Sequence, residues 1–159
     1  MRIIEDYKHF VVGGTGKKIA TLLFNPCFHS VCLFRLSNFF YRIHLSVISK
    51  VIWYINRMLF HVDIDYRADL AGGFMLVHGL GTVIGKTVIS KGWLTVYQGV
   101  TLGGGNGKPC RQDEDGVERG MPLLETGCTV YAGAIVVGGI LIKENTIIKA
   151  GSIVSNDIL

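Results

Sequence analysis

Aliphatic residues recur at every sixth position in the last part of the chain. Between residues 124 and 154 this spacing is kept without a slip. An α-helix places apolar residues three and four positions apart, and a half-buried strand alternates apolar with polar residues, so neither explains a period of six. The period predicts a parallel β-helix of hexapeptide units, in which each aliphatic side chain points inward. The inward positions are Leu124, Val130, Val136, Ile142, Ile148 and Val154.

The same repeat occurs earlier in the chain, in two different registers. Ile64 and Leu70 share the first register. The second is shifted by two residues and contains Ile84, Ser90, Val96 and Leu102. The slip falls across residues 76–81, which include His78. Because irregularities in a repeat occur at corners and bulges and often mark functional sites, we expect a corner close to a site at this position.

The repeat also stops between Leu102 and Leu124. The intervening segment, residues 103–122, is polar and rich in glycine. A β-helix coil has no room for it, so we predict a loop that leaves the coil at one corner. Long loops in compact folds are usually functional or disordered, and we expect a functional role here.

The N-terminal part has helical rather than hexapeptide spacing. Asn25-Pro26 is typical of a helix start, and residues 30–40 and 44–59 carry apolar side chains at helical intervals. We predict a helical cap over residues 1–61 and a β-helix domain over residues 62–159. The second helix must pack against its neighbour and the open end of the β-helix, or against a partner or membrane surface.

Charge is distributed unevenly along the chain. The formal net charge is +4, but residues 1–60 contain eight basic and two acidic side chains, whereas residues 61–159 contain eight basic and ten acidic ones. The excess of positive charge predicts either a solvated helical face or contact with a membrane surface or an anionic ligand. The apolar run at residues 45–60 is interrupted by Lys50, Asn56 and Arg57 and is shorter than the roughly 20 residues of a membrane span, so we predict no transmembrane helix.

Several classes of protein are excluded by spacing. The four cysteines form no Cys-x-x-Cys pair, which argues against a zinc site and against a disulfide framework. The glycines near Lys17 lack the spacing of a phosphate-binding loop, and those near His78 lack the spacing of a dinucleotide fingerprint. We therefore expect no metal and no nucleic-acid partner. The thiols and the absence of a signal-peptide run favour the cytoplasm.

His78 is the histidine that the repeat places at an irregular position. Two glycines follow within three residues and leave space around the ring. A neutral imidazole can take a proton from a hydroxyl and return it to a leaving thiolate, so His78 is either a general base or a structural corner histidine. The other histidines fall in the helical part or at its exit, where we expect structural roles: His9, His29, His44 and His61.

Residues 62–154 resemble the serine acetyltransferases, which belong to the hexapeptide-repeat acyltransferases. The resemblance implies a left-handed β-helix, because that handedness is a property of the family. It covers about two-thirds of the chain, and the helical cap echoes the family only weakly. The matching segments are 62–64, 74–79, 83–87, 100–104, 132–134 and 149–152.

The resemblance implies acetyl transfer from acetyl-CoA to a hydroxyl in a homotrimer. His78 matches the general base of the family, and Asp63 and Arg119 fall where the acceptor is bound. Acetyl-CoA would lie along the coils between two subunits, and from the chemistry we expect backbone N–H groups near Gly103 and Gly104 to stabilise the oxyanion. The residues expected to line the acetyl-CoA site are Gly103, Gly104, Lys108, Ala132, Lys149 and Ala150.

The chain departs from the family at the acceptor site. Val77 stands where serine acetyltransferases have an Asp before the histidine, and Gly120-Met121-Pro122 stands where they have Arg-His-Pro. The acceptor is therefore either serine, as in cysteine biosynthesis, or a sugar hydroxyl, as in the related enzymes of surface-polysaccharide synthesis. A trimeric scaffold without catalysis is an alternative of another class. Peripheral membrane contact through the basic N-terminal helices is a further possibility.

Overall fold

The computed structural model describes residues 1–11, 15–105, 111–112 and 118–159, without the side chains of residues 15–17 and 111–112. Lys108 lies outside the described residues. The described part of the chain begins with helices and continues as short strands. The helices are α1 (Arg2–Phe10), α2 (Thr15–Phe24), α3 (Pro26–Arg42) and α4 (Ser46–Phe60).

Thirteen of the short strands wind into a parallel coil, and two form a separate ribbon. In chain order they are β1 (Asp63–Ile64), β2 (Asp69–Leu70), β3 (Phe74–Val77), β4 (Val83–Ile84), β5 (Ile89–Ser90), β6 (Leu94–Tyr97), β7 (Thr101–Gly103), β8 (Arg111–Gln112), β9 (Glu118–Arg119), β10 (Leu123–Leu124), β11 (Cys128–Val130), β12 (Ile135–Val137), β13 (Leu141–Ile142), β14 (Ile147–Ile148) and β15 (Ile153–Val154).

The coil has three flat faces, each a parallel sheet. The first face is β1-β4-β7-β12-β15, the second is β2-β5-β10-β13, and the third is β3-β6-β11-β14. Successive strands of the chain lie on successive faces, so three strands complete one coil. The predicted fold class, a left-handed parallel β-helix with an N-terminal helical cap, is confirmed.

The predicted inward residues stack on one another from coil to coil. On the first face Ile84 pairs with both Ile64 and Leu102, and on the second face Leu124 pairs with both Ser90 and Ile142. All six side chains are buried. The period of six is therefore the length of one face plus its corner, and the inward stack forms the core.

The register slip is a corner that contains two additional residues. From the inward Leu76 to the inward Ile84 the chain advances eight residues, whereas the equivalent corner of the next coil advances six, from Val96 to Leu102. The enlarged corner includes His78 and Gly81, both with positive φ (58° and 71°). The corner between the third and first faces is called the histidine corner below.

The predicted loop leaves the coil after β7 and returns before β10, at the corner between the first and second faces. That corner is called the loop corner below. Within the loop β8 and β9 pair as an antiparallel ribbon. The loop rejoins the coil through Met121, whose Sδ accepts a hydrogen bond of 3.4 Å from the backbone N–H of Thr87.

The helical cap begins α3 as the sequence predicts. The Asn25 side chain accepts a hydrogen bond of 3.1 Å from the backbone N–H of Phe28, and Pro26 occupies the first helical position, where its missing N–H costs nothing. The predicted second helix is α4. Helices α1 and α2 lie within the helical cap predicted over residues 1–61, but they were not predicted individually.

The cap shares one hydrophobic core with the first coil. Phe28, Val31 and Phe34 of α3 are buried in the same cluster as Phe74 of β3. The rings of Phe34 and Phe74 meet edge to face, with their centroids 6.2 Å apart. The helices therefore cover the apolar end of the coil, which would otherwise be open to water.

A buried ion pair connects two helices to the first coil. Asp6 of α1 is fully buried, and Arg35 of α3 contacts both of its carboxylate oxygens, at 2.7 and 2.9 Å. The Asp6 carboxylate also accepts hydrogen bonds from the backbone N–H groups of Gly73 and Phe74, at 2.9 and 2.8 Å. The carbonyls of Leu70 and Ala71 accept hydrogen bonds of 2.6 Å from the Arg35 guanidinium. Both charges are thus paired and hydrogen-bonded, which burial requires.

Within the described residues, no single helix is long and apolar enough to cross a membrane. The segments Lys18–Phe24 and Pro26–Arg42 pass the same test of length and composition only as a pair, and they are bent by 67° at their junction.

Replacing Asp6 tests the contribution of this ion pair. We expect Asp6→Asn to lower the free energy of unfolding by about 3–5 kcal/mol, because the Arg35 charge stays buried without its counter-charge. Urea unfolding followed by circular dichroism measures the change. Lys8→Ala, which breaks the exposed pair between Lys8 and Glu5, is the control and should cost under about 1 kcal/mol. Equal effects of the two substitutions would contradict this role of Asp6.

Candidate active site

His78 follows the third strand of the first coil and begins the enlarged corner. Its backbone has φ of 58°, in the left-handed region, and its side chain is exposed. Gly79, which follows, is buried, and a side chain there would lie 3.3 Å from Val62. The tight packing of Gly79 under the corner therefore fixes the backbone from which the imidazole projects.

The imidazole borders a cavity of about 740 Å³ between the cap and the first coil. Most of its lining is apolar and comes from both parts of the chain, including Phe24, Leu59 and Met75. Ser30, whose buried Oγ has no hydrogen-bond partner within the described residues, also lines it. His78 thus lies between solvent and a mostly apolar cavity.

Cys27 brings a thiol to this cavity. It lies in the first turn of α3, and its half-buried thiol is directed to the backbone N–H groups of Gly79 and His78. Burial raises the pKa of the Cys27 thiol above its ordinary value, and the two backbone groups offset only part of this effect. The thiol is therefore neutral at pH 7. The sequence pattern did not identify Cys27 as a site residue, although Cys27 directly follows the Asn25-Pro26 helix start.

The histidine corner has a column of glycines with positive φ. They are Gly81, Gly99, Gly133 and Gly151, with φ between 66° and 71°. A Cβ at Gly99 would lie 3.7 Å from the Cα of Gly133, whereas one at Gly133 or Gly151 would have nothing within 4 Å. The later coils therefore leave an open groove along this corner.

Three of the predicted acetyl-CoA residues lie on the histidine corner. Ala132 precedes Gly133, and Lys149 and Ala150 precede Gly151, so all three share the corner of His78 in later coils. Gly103 and Gly104 lie elsewhere: Gly103 ends β7 and pairs with Val137, and Gly104 begins the loop corner. The single chain thus brings together some of the predicted residues and separates others.

Asp63 is engaged by two side chains of α4. Its carboxylate accepts a hydrogen bond of 3.0 Å from Trp53 Nε1 and contacts Arg57 Nη1 at 3.1 Å. The Arg57 guanidinium also lies over the Trp53 ring, 5.7 Å from a ring centroid. These partners were not predicted, because nothing in the spacing of α4 indicates that it faces β1.

Arg119 lies at the loop corner and not beside His78. It lines a smaller cavity of about 190 Å³ together with Arg67, Lys86 and Asp69. His78 and Arg119 are therefore at different corners of the same coil stack.

The residue directly before His78 is the apolar Val77. Val77 lines the large cavity and pairs with Tyr97 of the next coil. The Tyr97 ring stacks on Tyr131, with centroids 4.7 Å apart, and forms an aromatic surface that the sequence did not predict. Among the side chains that the structure describes, no carboxylate is paired with the His78 imidazole and no three His, Cys, Asp or Glu residues are grouped to hold a metal ion.

The raised pKa of Cys27 predicts slow alkylation. Because the thiolate is the reactive form, we expect iodoacetamide to modify Cys27 more slowly at pH 8 than it modifies a free cysteine peptide, and the rate to keep rising at higher pH. Mass spectrometry of the Cys27 peptide follows the reaction without interference from the other thiols. A rate at pH 7 above that of the free peptide would show that the pKa is lowered instead.

The chain is similar to curated bacterial serine acetyltransferases. It is 38% identical over 140 residues to the serine acetyltransferase of Synechococcus elongatus, which covers 88% of this chain and 54% of that relative. It is 30% identical over 142 residues to the serine acetyltransferase of Helicobacter pylori, which covers 89% of this chain and 78% of that relative. The chain thus spans little more than half the length of the Synechococcus protein. No family model matches it.

A solved structure shares the fold. The serine acetyltransferase of Brucella abortus strain S19, in complex with coenzyme A, superposes with a TM-score of 0.85 over 99% of this chain and 60% of that chain, at 23% identity. This likeness shows the fold alone, whereas the Helicobacter match extends over most of that relative. The resemblance found in the sequence is thereby confirmed, and the chain belongs to the serine acetyltransferase family.

Proposed function

We propose that this protein transfers an acetyl group from acetyl-CoA to a hydroxyl of a small acceptor, with His78 as the general base. The proposal rests mainly on the position of His78, which lies at the histidine corner in the first coil, and the same corner is open in later coils. Gly133 and Gly151 leave space there, and Lys149 is exposed beside it. The names of the relatives and the coenzyme A complex of the Brucella protein support the same donor.

The chemistry needs one proton acceptor and one oxyanion site. The imidazole of His78 takes the hydroxyl proton while the oxygen attacks the thioester carbonyl carbon, and the carbonyl electrons move to its oxygen. When this intermediate collapses, the C–S bond breaks and the thiolate takes the proton from the imidazolium. Such proton transfer contributes about 10²–10⁴-fold to the rate. Backbone N–H groups at Gly103 and Gly104 are proposed to stabilise the oxyanion.

A homotrimer would complete this site. Within one chain His78 lies at the histidine corner, whereas Gly104 and Arg119 lie at the loop corner. Packing the histidine corner of one subunit against the loop corner of the next would bring the two sets together around acetyl-CoA. The Lys149 ammonium, and Lys108 outside the described residues, would then be available to its phosphates.

Serine is proposed as the acceptor because the relatives carry that name. Asp63 could hold a serine amine only if it exchanged part of its contact with Arg57, and Arg119 could hold the carboxylate. A sugar hydroxyl is the second candidate. Val77 and Gly120 remove polar groups that the family uses at this site, and a sugar ring could pack on the exposed side of the Tyr97–Tyr131 pair.

A catalytically inactive trimeric scaffold remains the alternative of another class. The apolar Val77 supports this alternative, because the His78 imidazole then lacks the carboxylate that orients it in the family. We place the active protein in the cytoplasm, where acetyl-CoA is produced and thiols such as Cys27 stay reduced.

Replacing His78 by Asn tests the base. Asn tolerates the left-handed backbone at this position, so the corner is kept while the proton acceptor is lost. We expect the rate of thiol release from acetyl-CoA, measured with serine and with a panel of sugars, to fall by about 10²–10⁴-fold. Binding of coenzyme A, measured by calorimetry, should be unchanged.

His61→Asn is the matched control, because His61 is also an exposed histidine with positive φ (54°) but ends α4. It should keep full activity. Full activity of His78→Asn would overturn the assignment of the base. Coenzyme A binding without turnover of any acceptor by the unmodified protein would support the scaffold.

Replacing Lys149 tests the path of acetyl-CoA. We expect Lys149→Ala to raise KM for acetyl-CoA about tenfold with little change in kcat, because a phosphate contact remote from the thioester is lost. Steady-state kinetics at low salt give both constants. Lys143→Ala removes another exposed lysine, at a different corner of the same coil, and should leave KM unchanged. Equal effects of the two substitutions would contradict a specific phosphate contact.

A further inference from the structure

Helix α4 buries two small polar side chains and exposes a row of apolar ones. Ser49 and Asn56 are 0% and 2% exposed, whereas Val47 and Leu59 are 73% and 63% exposed. The outward residues lie on one side of the helix and are Val47, Ile48, Val51, Tyr54, Ile55, Met58 and Leu59. A helix that packs on a soluble core has the opposite arrangement. The outer side of α4 therefore lacks the polar surface expected against water.

The buried polar residues hold α4 firmly against α3. The Ser37 hydroxyl donates to the carbonyl of Ser49, and the Ser49 hydroxyl donates to the carbonyl of Ser37, both at 2.7 Å. Asn56 Nδ2 donates to the carbonyl of Ser30 at 3.1 Å. The two helices thus join through paired small polar groups, and α4 cannot rotate its apolar side inward without breaking these bonds.

The apolar surface continues from α4 onto α2. Leu22, Leu23 and Phe24 of α2 are exposed. Phe24 and Leu59 both also line the cavity beside His78, so the two helices border one apolar surface around the cavity. The surface formed by the exposed apolar residues of α2 and α4 is called the cap surface below.

Helices α2, α3 and α4 carry basic residues and no acidic one. From Tyr7 to Val62 the sequence contains seven basic residues and no acidic one. Lys18 and Lys50 are exposed and have no ion pair among the side chains that the structure describes, and Arg57 is half exposed beside Trp53. An apolar surface with a basic border is typical of a segment that lies in the interface of an anionic membrane.

We propose that the cap surface binds a membrane of anionic phospholipids, with α4 lying in the plane of the interface. The apolar side of α4 would enter the boundary between headgroups and acyl chains, and Lys18 and Lys50 would contact the phosphates. A second copy of the chain fits the surface less well, because a two-fold contact would bring the Lys18 and Lys50 charges of two copies together, and neither α2 nor α4 carries an acidic residue to neutralise them. The proposal is independent of the acetyl transfer.

Vesicle sedimentation of the full chain tests this proposal. We expect the protein to sediment with vesicles of phosphatidylcholine and phosphatidylglycerol, to sediment much less with phosphatidylcholine alone, and to be released by salt. Val51→Glu places a charge on the exposed apolar side of α4, and Lys50→Glu reverses a charge at its border. Each should lower the apparent lipid affinity about tenfold or more. Both positions are exposed, so folding is preserved, and circular dichroism verifies this.

Lys143→Glu is the matched control for Lys50→Glu, because it makes the same change of charge on an exposed residue of the β-helix. It should bind vesicles nearly as well as the unmodified protein. Three results would overturn the proposal: no sedimentation with anionic vesicles at low salt, equal loss of binding in Lys143→Glu and Lys50→Glu, or unchanged binding by Val51→Glu. A larger assembly in light scattering that Val51→Glu dissociates, without vesicle binding, would identify a second copy as the occupant.

Discussion

The contact between Asp6 and Arg35 determines how the helical cap is seated on the β-helix. The carboxylate of Asp6 accepts hydrogen bonds from the backbone N–H groups of Gly73 and Phe74, where β3 begins. His78 directly follows Val77, the last residue of β3. The guanidinium of Arg35 holds the carbonyls at the end of the preceding strand. One buried pair thereby positions two helices and the strand that carries the catalytic candidate. Its burial is tolerated only because every strong acceptor and donor has a partner.

The cap contributes to the candidate site as well as to the core. Cys27 comes from the first turn of α3, and Trp53 and Arg57 of α4 contact Asp63. The wall of the cavity opposite His78 is helical. A chain with the same coils and a different cap would therefore have a different cavity beside His78, although the open groove along the histidine corner would be unchanged.

The sequence predicted the coil because the hexapeptide period repeats a single physical requirement, an aliphatic side chain in a narrow core. The same period put the register slip at His78, and the structure shows that Ala132 and Ala150 share that corner. It did not place Arg119 relative to His78, because the loop interrupts the phase before Arg119 is reached. The burial of Asp6 was also beyond prediction, since one acidic residue in a nine-residue helix has no periodic signal. The partners of Asp63 depend on the packing of α4, which only the tertiary structure defines.

The glycine column of the histidine corner has a geometric consequence for the donor. Adjacent coils are separated by about 4.8 Å, so the three steps from Gly81 to Gly151 span about 14 Å. In the proposed site, the number of coils would thus fix the distance between the reacting thioester at the level of His78 and a phosphate at the level of Lys149. Insertion or deletion of one whole coil would preserve the packing of the core but change this distance by one step. If acetyl-CoA binds as proposed, the β-helix would discriminate between thioesters by the length of the arm between the thioester and its phosphates.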